Sequence, residues 1–346
     1  SLTVRAGFVA RSAVVWRLSA APMREARRHA ESVVILIGVL ACFAFAYQGK
    51  QSKGFADRQP EAIRDALTNY AVPEFRRLQQ SPPGKGFFGE EAKEQCIHRL
   101  PASACNFGSV AAITLGDSNV GMYEYALQDA LAKKGRGILS LSYEQCPLYN
   151  QPIWSGNVRE CWEINKERWK LLRAYPDRPT VIVSANFYQF TVAKRAPENF
   201  SPTSTLQESA PVPEGEVYAS FNASIDELLK LGYPVVVVTD VPNAPFDVKK
   251  EMERRAALKT WAKHDEYVPY EHRDTFDARA AQIHPHPGQR FQLVRPDRFL
   301  CNAERTECLV ISRKGGIYSF ESHLSNAGVH YLLPTLLESI SRFDRQ

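Results

Sequence analysis

Residues 233–239 read YPVVVVT, four consecutive valines inside a seven-residue run. A strand with one solvated face alternates apolar and polar side chains. Unbroken valines instead require burial on both faces, as at the centre of a parallel sheet. Shorter runs of the same kind occur at 110–115, ending in Gly116, at 137–141, at 180–184 and at 308–311. Between them lie segments with helical spacing. Residues 120–134 carry Tyr123, Leu127, Ala130 and Leu131, and 158–175 carry Trp162, Trp169 and Leu172. Residues 216–231 carry Phe221, Ile225, Leu228 and Leu229. Further helices are expected at 251–264, within a long Pro- and His-containing excursion up to Arg298, and at 325–343. This alternation predicts a doubly wound α/β fold with no internal repeat.

A chain of 346 residues holds one large domain or two modest ones. With 44% hydrophobic and 23% charged residues it can fill a core. A net charge of +5 is mild, and no basic stripe interleaved with aromatics points to nucleic acid.

Residues 32–48 contain no charge, and 33–47 read VVILIGVLACFAFAY. As a helix this run spans roughly 25 Å, short but usable for a bilayer core of about 30 Å with snorkelling flanks. Arg24, Arg27, Arg28 and His29 precede it; Gln48, Lys50 and Lys53 follow. The denser positive flank predicts a retained membrane helix with a cytoplasmic N-terminus and an exported body. Two rivals stand beside this reading: a cleaved signal peptide, with Ala44-Phe45-Ala46 as the cleavage site, and a buried core helix. Residues 49–95 are polar, include Pro82-Pro83-Gly84, and read as a stalk, partly helical around 61–78.

Cys42 lies inside the apolar run. The other six cysteines form three close pairs: Cys96 and Cys105, Cys146 and Cys161, Cys301 and Cys308. An even number in short loops suits three disulfides in an oxidising compartment. A zinc site is the alternative, though no CxxC knuckle or HExxH motif is present.

Two segments carry candidate chemistry. In Ile113-Thr114-Leu115-Gly116-Asp117-Ser118-Asn119, a serine follows the first strand and precedes a helix. Ligands of such sheets bind at the carboxyl ends of the strands. There the Ser118 hydroxyl is exposed and the helix N-terminus offers backbone N–H groups to negative charge. The alternative is an ordinary helix cap. In Glu321-Ser322-His323-Leu324-Ser325-Asn326-Ala327-Gly328, a histidine follows the last strand and opens the last helix. His323 is thus expected at the same sheet edge, as the base that a serine nucleophile needs.

The GDS turn and the late HLSxxG segment resemble blocks I and V of the SGNH hydrolases. The chain is more similar still to the exported SGNH domains fused to acyltransferase-3 membrane proteins. In that group a cysteine pair precedes the GDS strand, matched by Cys96 and Cys105. A Cys-Pro loop follows the second strand, matched by Cys146-Pro147 with Cys161, and a further pair precedes the histidine, matched by Cys301 and Cys308. Residues 16–28 resemble the end of the acyltransferase-3 membrane domain. The resemblance implies a three-layer α/β/α, flavodoxin-like sandwich over 96–346, after a cytoplasmic segment 1–31, a transmembrane helix 32–48 and a stalk 49–95. It implies transfer of an acyl group, usually acetyl, through Ser118 to hydroxyls of a cell-surface glycan such as lipopolysaccharide O-antigen. A membrane acyltransferase domain or subunit supplies the acyl group, the body lies in the periplasm of a bacterial inner-membrane protein, and neither metal nor cofactor is required.

Three positions depart from the family pattern. The acid three residues before the histidine is replaced by Phe320, and Glu321, two before it, is expected to orient His323 instead. No glycine after Gly137 matches block II. The block III asparagine corresponds to Asn186 in Val183-Ser184-Ala185-Asn186-Phe187, either an oxyanion donor or a strand-end turn residue. Phe187, Tyr188 and Phe190 read as the wall of a sugar site or as core. His264, His272, His284 and His286 read as loop residues or, less simply, metal ligands. Only one candidate span is present, so the acyl-donor unit is expected as a missing part of a longer protein or as a separate partner. An esterase or deacetylase acting alone on acylated glycans uses the same serine and histidine. A non-catalytic glycan-binding domain is the third reading, motivated by Phe320.

Overall fold

The computed structural model describes residues 33, 35–47, 95–154, 158, 160–195, 210–258, 264–320 and 322–345. The chain divides into two compact units, Ser1–Arg64 and Asp65–Gln346. In the first, residues 33 and 35–47 are helical. No helix among the described residues is long and apolar enough to cross a membrane. The described part of the expected span falls short of the about 20 residues a bilayer core requires. The basic segment 1–31, and the stalk with the helix expected around 61–78, lie outside the described residues apart from position 95.

The second unit is built on five parallel strands: β1 (Val110–Gly116), β2 (Gly137–Ser142), β4 (Thr180–Ser184), β6 (Val235–Val238) and β8 (Phe291–Val294), in the order β2-β1-β4-β6-β8. Two short strands, β3 (Ile153–Trp154) and β5 (Lys194–Arg195), pair with each other beside it. The valine run behaves as its composition requires. Val236 and Val238 join one apolar cluster with α1 (Ser118–Ala132) and α7 (Asn326–Asp344). Val235 and Val237 join the other, with α2 (Cys161–Ala174) and α3 (Glu214–Lys230). Successive side chains of a strand point to opposite faces, so each valine is buried in turn. Burial of such a side chain stabilises by about 1.5–3 kcal/mol. Helices therefore cover both faces of a parallel sheet.

The excursion after β6 corrects two expectations. Residues 264–300 are ordered into β7 (Glu266–Pro269), α5 (Arg273–Ala281), β8 and α6 (Asp297–Leu300), after α4 (Val248–Leu258). The fifth strand of the main sheet is β8, which runs FQLV and is only half-buried over three of its four positions. An edge strand needs no continuous apolar run, so its sequence does not announce it. The apolar run at 308–311 is a strand, β9 (Glu307–Ser312), but it belongs to a separate antiparallel sheet with β7 and β10 (Gly315–Gly316). A two-stranded hairpin, β11 (Tyr318–Phe320) and β12 (His323–Leu324), then leads into α7.

The three cysteine pairs are disulfides. Their Cα atoms lie 5.5 Å apart in Cys96–Cys105, 5.3 Å in Cys146–Cys161 and 3.8 Å in Cys301–Cys308. Cys42 is free and exposed.

Candidate active site

Strand β1 ends in a turn that only glycine permits at its first position. Gly116 has φ of +143°, and a Cβ there would lie 1.9 Å from the Ser184 carbonyl oxygen of β4. Asp117 follows as the N-cap of α1 and its carboxylate is the hub of the turn. Its Oδ1 accepts from the Asn119 amide at 2.8 Å and from Asn119 Nδ2 at 3.2 Å. Its Oδ2 accepts from the Asn186 amide at 2.8 Å, joining the ends of β1 and β4. Burial pushes the Asp117 carboxyl up, while these donors and the charge of Arg168 pull it down. Asp117 thus shapes the turn that displays Ser118.

His323 reaches that turn from a hairpin. Its Nε2 lies 2.8 Å from Ser118 Oγ, across 205 residues of sequence, and both residues are buried at 7% exposure. The HLSxxG segment explains how. Leu324 donates its amide to Met122 Sδ of α1 at 3.3 Å, and Ser319 Oγ donates to the His323 carbonyl at 3.2 Å. Ser325 caps α7 by accepting from the Gly328 amide at 3.2 Å and donates its hydroxyl to the Gly316 carbonyl at 2.6 Å. Gly328 is required because a Cβ there would meet the Ile317 carbonyl oxygen at 2.2 Å. Glu321, the expected orienting acid, lies outside the described residues.

The donors available to an oxyanion are fewer than a helix N-terminus implies. The Asn119 amide is taken by Asp117 Oδ1, and the amides of Val120 and Gly121 donate to the Asp117 carbonyl at 3.1 and 3.2 Å. The Ser118 amide remains. Asn186 accepts from the Tyr188 amide through Oδ1 at 3.1 Å, so its Nδ2 is the end left to donate. After β2, the Tyr143 amide donates to the Gly116 carbonyl at 2.9 Å.

Two buried ionisable side chains behind the turn escaped sequence reasoning. Arg168 of α2 is fully buried; it donates to the carbonyls of Gly116 at 2.8 Å and Cys146 at 2.9 Å, and to Asn165 Oδ1 at 2.9 Å. Burial pushes its pKa down to about 9, so it remains charged at neutral pH. Glu124 of α1 is equally buried and accepts from Thr114 Oγ1 at 2.5 Å and Ser140 Oγ at 2.8 Å. Desolvation raises its pKa, opposed by these hydroxyls. A signal existed for both. Arg168 stands midway between Ile164 and Leu172, and Glu124 four residues after Val120, so each occupies an apolar stripe at helical spacing.

Phe187 and Phe190 are core residues, packed at 5.0 Å on each other and against Tyr218 and Phe221. Tyr188 between them is 60% exposed. The four scattered histidines do not converge on the site: the His284 amide donates to Asn222 Oδ1 at 3.0 Å, and the His286 ring packs on Phe291 at 4.7 Å. Among the described residues, no group of three His, Cys, Asp or Glu side chains is placed to hold a metal ion.

A serine hydroxyl held against an imidazole, with an amide donor beside it, is an acyl-transfer arrangement. Comparison with known proteins bears on which kind. Residues 90–338 match the model of a family described as the SGNH domain fused to AT3 domains. No curated protein matches the chain. Among solved structures, the periplasmic domain of a lipopolysaccharide acetyltransferase from Salmonella ser. Paratyphi A is similar at 14% identity, over 73% of this chain and 89% of that one, with a TM-score of 0.49.

Proposed function

We propose, since the chain belongs to the family of SGNH domains fused to AT3 domains, that it transfers an acyl group through Ser118 to a hydroxyl of a cell-surface glycan. The observation that carries the reading is the 2.8 Å contact between Ser118 Oγ and His323 Nε2 at the carboxyl edge of the sheet. It lies within the hydrogen-bond reach that a general base requires.

In the first half-reaction, His323 Nε2 takes the hydroxyl proton as Ser118 Oγ attacks the acyl carbonyl carbon. The carbonyl oxygen becomes an oxyanion that the Ser118 amide and Asn186 Nδ2 stabilise. Collapse expels the donor's leaving group, which takes the proton from the imidazolium, and leaves acyl-Ser118. In the second half-reaction, His323 takes the proton of a sugar hydroxyl as that oxygen attacks the acyl carbon. Ser118 Oγ then departs and recovers the proton. Glu321 is assigned the task of orienting the imidazole.

The donor is an acyl group delivered by a membrane acyltransferase domain, the unit to which domains of this family are fused. The three disulfides favour an extracytoplasmic site, since such bonds persist in oxidising compartments. Acetyl is the proposed acyl group, and anchoring by the 32–48 segment is part of the same proposal.

The test is surface-glycan acylation in cells carrying the chain together with a membrane acyl-donor partner. Wild type acylates the glycan and Ser118→Ala does not, and mass spectrometry traps an acyl group on Ser118. Full acylation by Ser118→Ala rejects the covalent route. Acyl-Ser118 that yields only free acid, with no glycan product, identifies a hydrolase instead.

A further inference from the structure

We infer that Tyr188 and Arg279 form the acceptor subsite, and that it takes an uncharged sugar ring. This rests on reading Ser118 as the acyl carrier and adds the class of acceptor that meets it.

The position comes first. Asn186, whose amide is bonded to Asp117 beside the nucleophile, opens a six-residue 3-10 turn, Phe187–Val192. Tyr188 is two residues further on, at most about 7 Å along the chain. Asp240, just past the end of β6, accepts from the Phe187 amide at 2.9 Å, so both ends of neighbouring strands hold this turn.

The turn is also rigid. Phe187 and Phe190 anchor it in the core, Asn186 Oδ1 accepts from the Tyr188 amide, and Thr191 Oγ1 donates to the Tyr188 carbonyl at 2.8 Å. A single exposed aromatic side chain is unremarkable in itself. An aromatic ring fixed on a stiff turn, two residues from the Asn186 amide that binds Asp117, is a prepared surface. It offers a large contact area with little conformational entropy left to lose.

Arg279 supplies the polar complement. Its guanidinium lies 5.9 Å from the Tyr188 ring centroid, within cation–π range, and Nη1 donates to Asp240 Oδ2 at 3.2 Å. Its other N–H groups make no hydrogen bond to the described residues and are left for ligand hydroxyls. The helix that carries it, α5, is pinned from below: Asp277 pairs with Arg295 and with Arg305, the latter at 2.6 Å, and Arg305 and Arg295 both pair with the buried Asp297.

Charge selects the ligand. Arg279 is already neutralised by Asp240, and Asp117 is a second buried carboxyl at the same edge. A carboxylated or phosphorylated sugar would meet no uncompensated cation there among the described residues, since Arg279 is paired with Asp240. An uncharged ring stacks its C–H face on Tyr188 and directs hydroxyls to Arg279, which brings one of them toward acyl-Ser118.

Saturation-transfer NMR on the full chain, with cellopentaose and chitopentaose as neutral probes and tetragalacturonate as an acidic one, tests the subsite without requiring turnover. Neutral probes receive saturation, Tyr188→Ala weakens it by about tenfold in affinity, and Tyr188→Trp restores it. Arg279→Met weakens it further. Absence of saturation transfer to both neutral probes, an unchanged signal in Tyr188→Ala, or preference for the acidic probe each overturns the inference. A second measurement uses p-nitrophenyl acetate as donor and follows the ratio of sugar acetylation to hydrolysis per titrated serine; this ratio falls about tenfold in Tyr188→Ala and recovers in Tyr188→Trp. Loss of all acyl-Ser118 in the wild type, with neutral-sugar binding intact, rejects the serine reading and leaves the subsite standing.

Discussion

Arg168 Nη2 donates to the Gly116 carbonyl at 2.8 Å, linking helix α2 to a backbone atom two residues before the serine, across 52 residues of sequence. The same carbonyl accepts from the Tyr143 amide, and the same guanidinium holds the Cys146 carbonyl. The nucleophile turn is therefore fixed from behind by a cation that never meets solvent.

Arg168→Met removes three donations and the charge that faces buried Asp117. The Cys146 carbonyl and Asn165 Oδ1 lose this donor, at about 1–3 kcal/mol each, while the Gly116 carbonyl keeps the Tyr143 amide. The melting temperature is expected to fall by roughly 5–10 °C, and turnover per titrated serine by about tenfold. Thermal melts and fluorophosphonate titration of Ser118 separate the two effects. Normal turnover per titrated site would show that Arg168 acts on stability alone.

The Cys146–Cys161 disulfide closes a separation of 15 residues and holds the loop whose carbonyl Arg168 grips. Replacing both cysteines by serine is expected to cost about 3 kcal/mol by the chain-entropy argument. Because the two sites share a partner, combining this change with Arg168→Met should depart from additivity by at least about 0.5 kcal/mol. Urea denaturation of the four proteins gives the coupling, and strict additivity would separate the crosslink from the turn.

Ser118→Ala and His323→Ala are each expected to lower acyl transfer by roughly 10³-fold or more, and the double variant to be no worse than the single ones. Residues acting as one unit are not additive. Multiplying losses in the double variant, measured with p-nitrophenyl acetate, would count against a joint role.

Gly328→Ala places a Cβ where the Ile317 carbonyl oxygen lies 2.2 Å away. The start of α7 must shift, and the hairpin bearing His323 with it. A cost of about 1–3 kcal/mol is expected, together with a drop in turnover while Ser118→Ala remains the floor. A crystal structure of the variant with the Ser118–His323 contact unchanged would refute this coupling.

The Asp240 carboxyl is raised from 3.8 to about 6, chiefly by burial, against the pull of Phe187 and Arg279. Between those values the folded protein holds more proton on this carboxyl than the unfolded chain does. Stability from this group is therefore present at low pH and is lost as pH rises through about 4 to 6. The side-chain amide introduced by Asp240→Asn does not titrate. The unfolding free energy of wild type minus that of Asp240→Asn should fall by about 3 kcal/mol between about pH 4 and pH 7. Urea midpoints across that range check it, and parallel curves would contradict the shift.

The central strands, the GDS turn and the HLSxxG cap follow from the sequence by itself, because each depends on neighbours close along the chain. Continuous valines demand two buried faces, and Gly116 and Gly328 stand where a Cβ would strike a carbonyl. The disulfide pairs were equally local, 7 to 15 residues apart. What only the tertiary structure decided depends on packing between distant segments. Strand β8 joins the sheet as a half-buried edge, which no apolar run marks. Arg168 and Glu124 sit in apolar stripes of α2 and α1, but the strand-end and loop partners that make their burial tolerable come from distant segments. Of three aromatic residues in a row of four, Phe187 and Phe190 went inward and Tyr188 outward, because a six-residue 3-10 turn presents opposite sides. The meeting of Ser118 with His323 belongs to this second class: nothing within either motif brings together side chains 205 residues apart, and His323 follows no strand of the main sheet but comes from the β11–β12 hairpin, which bonds to α1 through Leu324 and Met122.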